Sequence, residues 1–138
     1  MEIEGTWKLV TWRRIAPDGS VSFPLGPDPE GQLTYTSDGY MSVVLVSASR
    51  PPIAGGDPLG GDIEARAEAY STCLAYTGTY VRDEATVIHY IEQSLYPNWS
   101  DTKQPRLITD RDGQLVLTTP SQAGMPTTVN EIVWARPS

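Results

Sequence analysis

One cysteine, one histidine and one phenylalanine are all that this 138-residue chain holds of those three types. A lone Cys73 excludes an internal disulfide, and with only His89 beside it the multi-ligand sets that hold zinc cannot be assembled. No metal and no cofactor is expected. Nor is there an apolar run near the roughly 18 to 20 residues of a membrane helix, and no basic-then-apolar leader precedes the first patterned residues. Cations are scarce as well. Ten Lys plus Arg against 17 Asp plus Glu give a formal charge of −7 and a pI near 4.5, which repels phosphate backbones and anionic lipid headgroups. Nucleic acid and membrane are therefore excluded as expected partners. The expected location is the cytoplasm, where the sequon Asn98-Trp99-Ser100 meets no glycosylation enzyme.

What the chain does have is turn and strand material: 12 Gly, 12 Pro, seven Tyr and four Trp, with abundant Thr and Val. Asp18-Gly19, Asp38-Gly39 and Asp112-Gly113 each lie between β-prone runs, where a tight hairpin needing positive φ favours that dipeptide. The strands expected are 6–15, 20–23, 31–37, 40–47, 75–83, 86–94, 103–110, 114–119 and 127–136, each next to its sequence neighbour in an antiparallel meander. One segment departs from this. In "DIEARAEAYSTCL" the residues Ile63, Ala67, Tyr70 and Leu74 recur at helical spacing behind Asp62, which is placed to cap, so 63–73 reads as a helix. It is entered through "SRPPIAGGDPLGG", an irregular stretch long enough to be a lid or an excursion. The chain is read as one domain, residues 1–138. A small all-β domain must remove its sheet edges, and a closed barrel does so while enclosing space for side chains or one small ligand.

"GTWKL" at 5–9 and "VWAR" at 133–136 resemble the ends of the lipocalin barrel. There a Gly-x-Trp opens the first strand, and an arginine of the last strand packs across the indole. Gly5, Trp7 and Arg136 occupy those positions. The blocks "GTWKLVTW", "GQLTYTSDGYMS", "YTGTY", "SLYPNW" and "IVWAR" extend the likeness over nearly the whole chain, to the bacterial and fungal lipocalin-like domain family. The resemblance implies a closed up-and-down barrel of eight to ten strands with a short helix and a central pocket. It also implies a choice of roles, since some lipocalin-like proteins of natural-product pathways act as cofactor-free cyclases or isomerases. The signal peptide and disulfides of secreted lipocalins have no counterpart here.

Several residues are candidates for pocket chemistry, each with a plainer reading. His89, in "TVIHYIEQS", has the one side chain whose ordinary pKa lies near neutrality, or it is simply a hydrogen-bonded strand residue. Val87, His89 and Ile91 share one face, Ile88, Tyr90 and Glu92 the other, and parity does not say which is inward. Tyr76, Gly78 and Tyr80 alternate in "YTGTY", where a glycine between two tyrosines leaves a gap for a ligand or another ring. Tyr35 could line the same cavity, or all three tyrosines could be core. Trp99 in the Pro-containing loop 94–100 reads as a pocket wall or plug. Arg106 is the cation to place beside an anionic or carbonyl group, with a surface salt bridge as the alternative. Cys73 reads as a small buried residue. Trp7 and Trp12 are five apart and so point to opposite faces of a regular strand. Trp7 would share the inward face with Leu9 and Thr11. Trp12 would lie outside, under a loop or the helix or in a homodimer contact.

Three functions compete on this reading. The first is a barrel that binds a small hydrophobic, aromatic or polyketide-like molecule through Thr11, Tyr35, Tyr76, Tyr80, His89, Trp99 and Arg106. The second is a cofactor-independent cyclase, isomerase or dehydratase in which His89, Tyr80 and Arg106 move protons or polarise the substrate. The third is a structural or interaction barrel whose core is filled.

Overall fold

The computed structural model describes residues 1–120 and 127–138. Nine antiparallel strands follow one another: β1 (Gly5–Ile15), β2 (Val21–Ser22), β3 (Glu30–Tyr35), β4 (Tyr40–Val46), β5 (Cys73–Asp83), β6 (Thr86–Ser94), β7 (Thr102–Arg111), β8 (Gln114–Thr118) and β9 (Val129–Ala135). A helix, α1 (Ile63–Ser71), separates β4 from β5. β1 pairs with β3 on one side and β9 on the other, so eight strands close into an up-and-down barrel, and β2 is a two-residue appendage to β1. The expected meander and its strands are present, and all three Asp-Gly pairs turn hairpins. At Asp112-Gly113 both residues have positive φ, 53° and 87°, the backbone of a tight two-residue turn, and the Asp110 carboxylate accepts from the Gly113 amide.

The hairpin turns at 36–39, 84–85 and 112–113 gather at one end with the N-terminal residues. That end is closed. Trp7 is buried there, its indole N–H donating to the Ile3 carbonyl at 2.8 Å. The Arg136 guanidinium lies 3.7 Å from the centre of its ring and donates to the Glu2 and Thr6 carbonyls, a stacking worth about 0.5 to 2 kcal/mol. A Cβ on Gly5 would come within 2.9 Å of that guanidinium, and Gly5 has φ 105°, so only glycine serves. The longer connections, 16–29, 47–72 and 95–101, lie at the other end.

Two bulges alter the faces that strand parity predicts. Between β1 and β9 the register jumps from Leu9 opposite Trp134 to Thr11 opposite Val133. The extra residue reverses the alternation for the rest of β1. Trp12, expected outside, therefore points inward and is 9% exposed, its Nε1 donating to Asn130 Oδ1 at 3.0 Å. Thr11, expected to line the pocket, points away from it. The second bulge lies between β5 and β6, where Thr77 faces Gln93 but Gly78 faces Ile91, leaving Glu92 extra and exposed. His89 is inward, with Val87 and Ile91.

This bulge explains Gly78 differently from the expected ligand gap. The β6 backbone presses against it: a Cβ there would collide with the Tyr90 carbonyl and lie 3.0 Å from the Glu92 nitrogen. Helix α1 differs from expectation in its packing. Asp62 caps it, accepting from the Ala65 amide, but none of its residues is buried and Ile63 is 74% exposed. The helix sits at the open end, not against a sheet face, so its apolar stripe has no core to enter. Cys73, expected on the helix, starts β5 and is half-buried.

Gly78→Ala is expected to lower the urea midpoint, by about 1 to 3 kcal/mol of overpacking strain. Gly56→Ala, in open space, should leave the midpoint unchanged.

Candidate functional site

The barrel is not packed solid. A cavity of about 780 Å³ runs from the open end into the interior, which excludes the filled core of the third expectation. Leu33, Val43 and Leu45 form one side, and Leu117, Ile132 and Trp134 another. Pro24 and Leu25 from the β2–β3 connection, Tyr70 and Ser71 from α1, and Tyr96 and Trp99 from the loop before β7 surround the mouth. Tyr96 and Trp99 meet edge to face at 5.8 Å, and Trp99 meets Tyr76 in the same way at 5.9 Å.

Against this apolar surface stands one polar wall built on adjacent strands: Tyr76 on β5, His89 on β6 and Arg106 on β7. Both nitrogens of His89 are engaged, Nε2 with the Tyr35 hydroxyl at 2.6 Å and Nδ1 with the Tyr76 hydroxyl at 2.7 Å. The imidazole is 2% exposed. Burial, with a smaller contribution from the nearby Arg106 charge, pushes its pKa down to about 3. Neutral at physiological pH, it has one N–H donor and one bare acceptor.

Hydrogen-bond satisfaction fixes which is which. Tyr35 is fully buried and His89 is its one side-chain partner among the described residues. If Nε2 carried the proton, the Tyr35 hydroxyl hydrogen would have no acceptor, at a cost of about 1 to 3 kcal/mol. With the proton on Nδ1, Tyr35 donates to Nε2 and Nδ1–H donates to Tyr76. The Tyr76 hydroxyl hydrogen is then free to donate into the cavity. Burial holds both phenols protonated, raising Tyr35 well above its ordinary pKa and Tyr76 to about 12.

Arg106 is 9% exposed, and its one hydrogen bond among the described residues is from Nη1 to the Pro105 carbonyl at 2.8 Å. It forms no ion pair there, unlike Arg13 and Arg111, which both bind Glu131 on the outer surface. Of the expected pocket residues, Tyr76, His89, Trp99 and Arg106 line the cavity. Tyr35 backs it through His89. Tyr80 does not reach it: its ring lies 4.7 Å from that of Tyr35, and its hydroxyl donates to the Thr36 carbonyl at the closed end. Trp12, Arg14, Asn130 and Trp134 join the lining without having been expected there. The bulge that turns Trp12 and Arg14 inward has no signal in the local sequence. Among the described residues no group of three or more His, Cys, Asp or Glu could hold a metal ion, and no helix is long and apolar enough to cross a membrane.

The profile of the lipocalin-like domain matches residues 4–136. The chain belongs to the lipocalin-like domain family. Over 87 residues, 57% of this chain and 78% of the relative, it is 36% identical to a 4'-hydroxy-3'-methoxypropiophenone carrier protein, ppsC, of Aspergillus oryzae. The crystal structure of a lipocalin-like protein from Bacteroides uniformis superposes with a TM-score of 0.51 at 15% identity, covering 96% of this chain and 97% of that one. The latter is a likeness of fold. Within the lipocalin-like barrel of this chain, Gly5, Trp7 and Arg136 form the closed end that the resemblance implied, away from the cavity.

The low pKa of His89 has a consequence for acid stability. A histidine titrates near 6.5 when unfolded and near 3 here, so between those values the unfolded chain takes up a proton that the folded one refuses. His89 thus contributes stability that is complete above about pH 6.5 and is lost as the pH falls toward 3, at up to about 1.4 kcal/mol per unit. Denaturant melts from pH 7 to pH 4 should show this slope, and His89→Gln should remove it.

Proposed function

We propose that this lipocalin-like protein is a carrier for a small, largely aromatic molecule bearing an oxygen function, held in the barrel cavity. The observation that carries the reading is the cavity itself: about 780 Å³, within the roughly 300 to 1,000 Å³ usual for small-molecule sites, mostly apolar and aromatic, with a polar wall of Tyr76, His89 and Arg106 and a few further polar residues, among them Arg14, Gln104 and Asn130. The relationship to a protein named as a propiophenone carrier supports an aryl ketone as the ligand class. Such a ligand would lay its ring among Trp99, Trp134 and the leucines and turn its oxygen toward Tyr76 and Arg106.

The same wall could serve a cyclase or isomerase, because polar groups converge there. The chemistry of His89 favours carriage. Its pKa of about 3 makes it a weak base, and both its nitrogens are committed to tyrosines, so it is poorly placed to take a proton from a substrate. Its role on this reading is to hold the Tyr76 hydroxyl in orientation.

Three of the four tryptophans, Trp12, Trp99 and Trp134, line the cavity, so binding should be visible in intrinsic fluorescence. Titration with 4'-hydroxy-3'-methoxypropiophenone is expected to quench emission saturably. Leu45→Trp, which puts an indole into the cavity, should weaken binding at least tenfold by calorimetry. The ligand should be recovered unchanged after prolonged incubation, and a new product would move the reading to an enzyme.

A further inference from the structure

The carrier reading leaves open what form of ligand the cavity prefers, and the distribution of charge bears on this. The chain has a formal charge of −7 and 17 carboxylates, yet no Asp or Glu lines the cavity among the described residues, while two arginines do. Residues 121–126, "SQAGMP", add no acid to the chain. Arg14 stands near the mouth, its Nε donating to Asn130 Oδ1 and its guanidinium 5.7 Å from the Trp12 ring. Arg106 stands deep in the wall with no ion-pair partner among the described residues.

A guanidinium held in an apolar interior without a counter-ion is costly, and such charges are normally matched. The remaining polar groups of the wall do not match it. Tyr76 presents a donor, because its oxygen is taken by the Nδ1–H of His89. The indole N–H of Trp134, buried and lining the cavity, has no acceptor among the described residues. The other titratable groups on the cavity surface are Tyr70 of α1, Tyr96 of the loop before β7 and Cys73 of β5. The lining from β3, β4, β8 and β9 carries none. The cavity thus offers donors and positive charge deep inside and no anion among the described residues; its carboxamides, Gln104 of β7 and Asn130 of β9, are neutral, and the Asn130 oxygen already accepts from Trp12 and Arg14, so neither balances the guanidinium charge.

From this juxtaposition we infer that the site binds its ligand as an anion: an aromatic or apolar body carrying one ionised oxygen, received by Arg106 and the Tyr76 hydroxyl. The inference rests on the carrier reading and narrows it. Phenols, enols of 1,3-dicarbonyls and carboxylic acids share this chemistry. The cavity selects their ionised form, and a weakly acidic phenol is held as phenolate below the pH at which it ionises in water.

Three probes of similar size separate the cases: 4-nitrophenol, 4-nitrobenzoate and 4-nitroanisole, which cannot ionise. Each is titrated by calorimetry, and the absorption of bound 4-nitrophenol is followed against pH. The expected result is that at least one of the two acids binds tenfold or more tighter than 4-nitroanisole; which one does tells phenolate from carboxylate recognition. If 4-nitrophenol is the one preferred, its phenolate band persists at least one pH unit below its midpoint in water, since a tenfold preference is one unit. Arg106→Gln should remove the preference, bringing the favoured acid to within about twofold of 4-nitroanisole in the same variant. Arg106→Lys should retain part of it, since charge without the planar fork still attracts an oxyanion. Equal binding of all three probes to the wild-type protein, with bound 4-nitrophenol neutral, overturns the anion inference and leaves the carrier reading standing. Failure of all three to bind overturns both.

Discussion

Everything in this molecule follows from the pairing of β1 with β9. That ladder turns a meander with two open edges into a closed ring, and closure is what produces an interior at all. It is held at one end by the Arg136 guanidinium stacked on Trp7. A few residues along, the same ladder contains the bulge that swings Trp12 and Arg14 inward. One pair of strands thereby seals the bottom of the barrel and furnishes part of its cavity.

The polar wall shows a similar economy. Tyr76, His89 and Arg106 come from consecutive strands: His89 pairs with Gln104, two residues from Arg106, and Tyr76 lies across the β5–β6 bulge from His89, so strand pairing with that bulge positions them and no loop is required. Tyr35 reaches His89 from β3 and satisfies the nitrogen that faces away from the cavity. A neutral imidazole between two phenols is a rigid spacer with a direction: the hydrogen bonds run from Tyr35 through the ring to Tyr76. Polarity is thereby delivered to the cavity as a donor, next to a cation.

The elements that local chemistry determines were legible in the sequence. Asp-Gly pairs turn hairpins because glycine and aspartate accept positive φ, and alternating β-branched and aromatic residues make strands, so the meander and its closure could be drawn from residue types and the ends "GTWKL" and "VWAR". The faces were less legible. The bulge in β1 inserts one residue and inverts the parity beyond it, which is why Thr11 was expected inside and Trp12 outside. The bulge in β6 leaves β5 parity intact but brings the Tyr90–Glu92 backbone against Gly78, which had looked like a gap for a ligand. The partnership of His89 with Tyr35 and Tyr76 joins residues 54 and 13 positions apart, and no local pattern announces it.

Helix α1 lines the mouth through Tyr70 and Ser71 and buries no residue of its own. The free energy that maintains the barrel is therefore stored elsewhere, in the strands and the core, and detachment of the helix breaks almost none of it. Such a segment opens by its own local equilibrium, far more often than the whole domain unfolds. The rim of the cavity is in consequence bordered by nine helical residues on a long tether, residues 47–62, separable from how firmly the container is built.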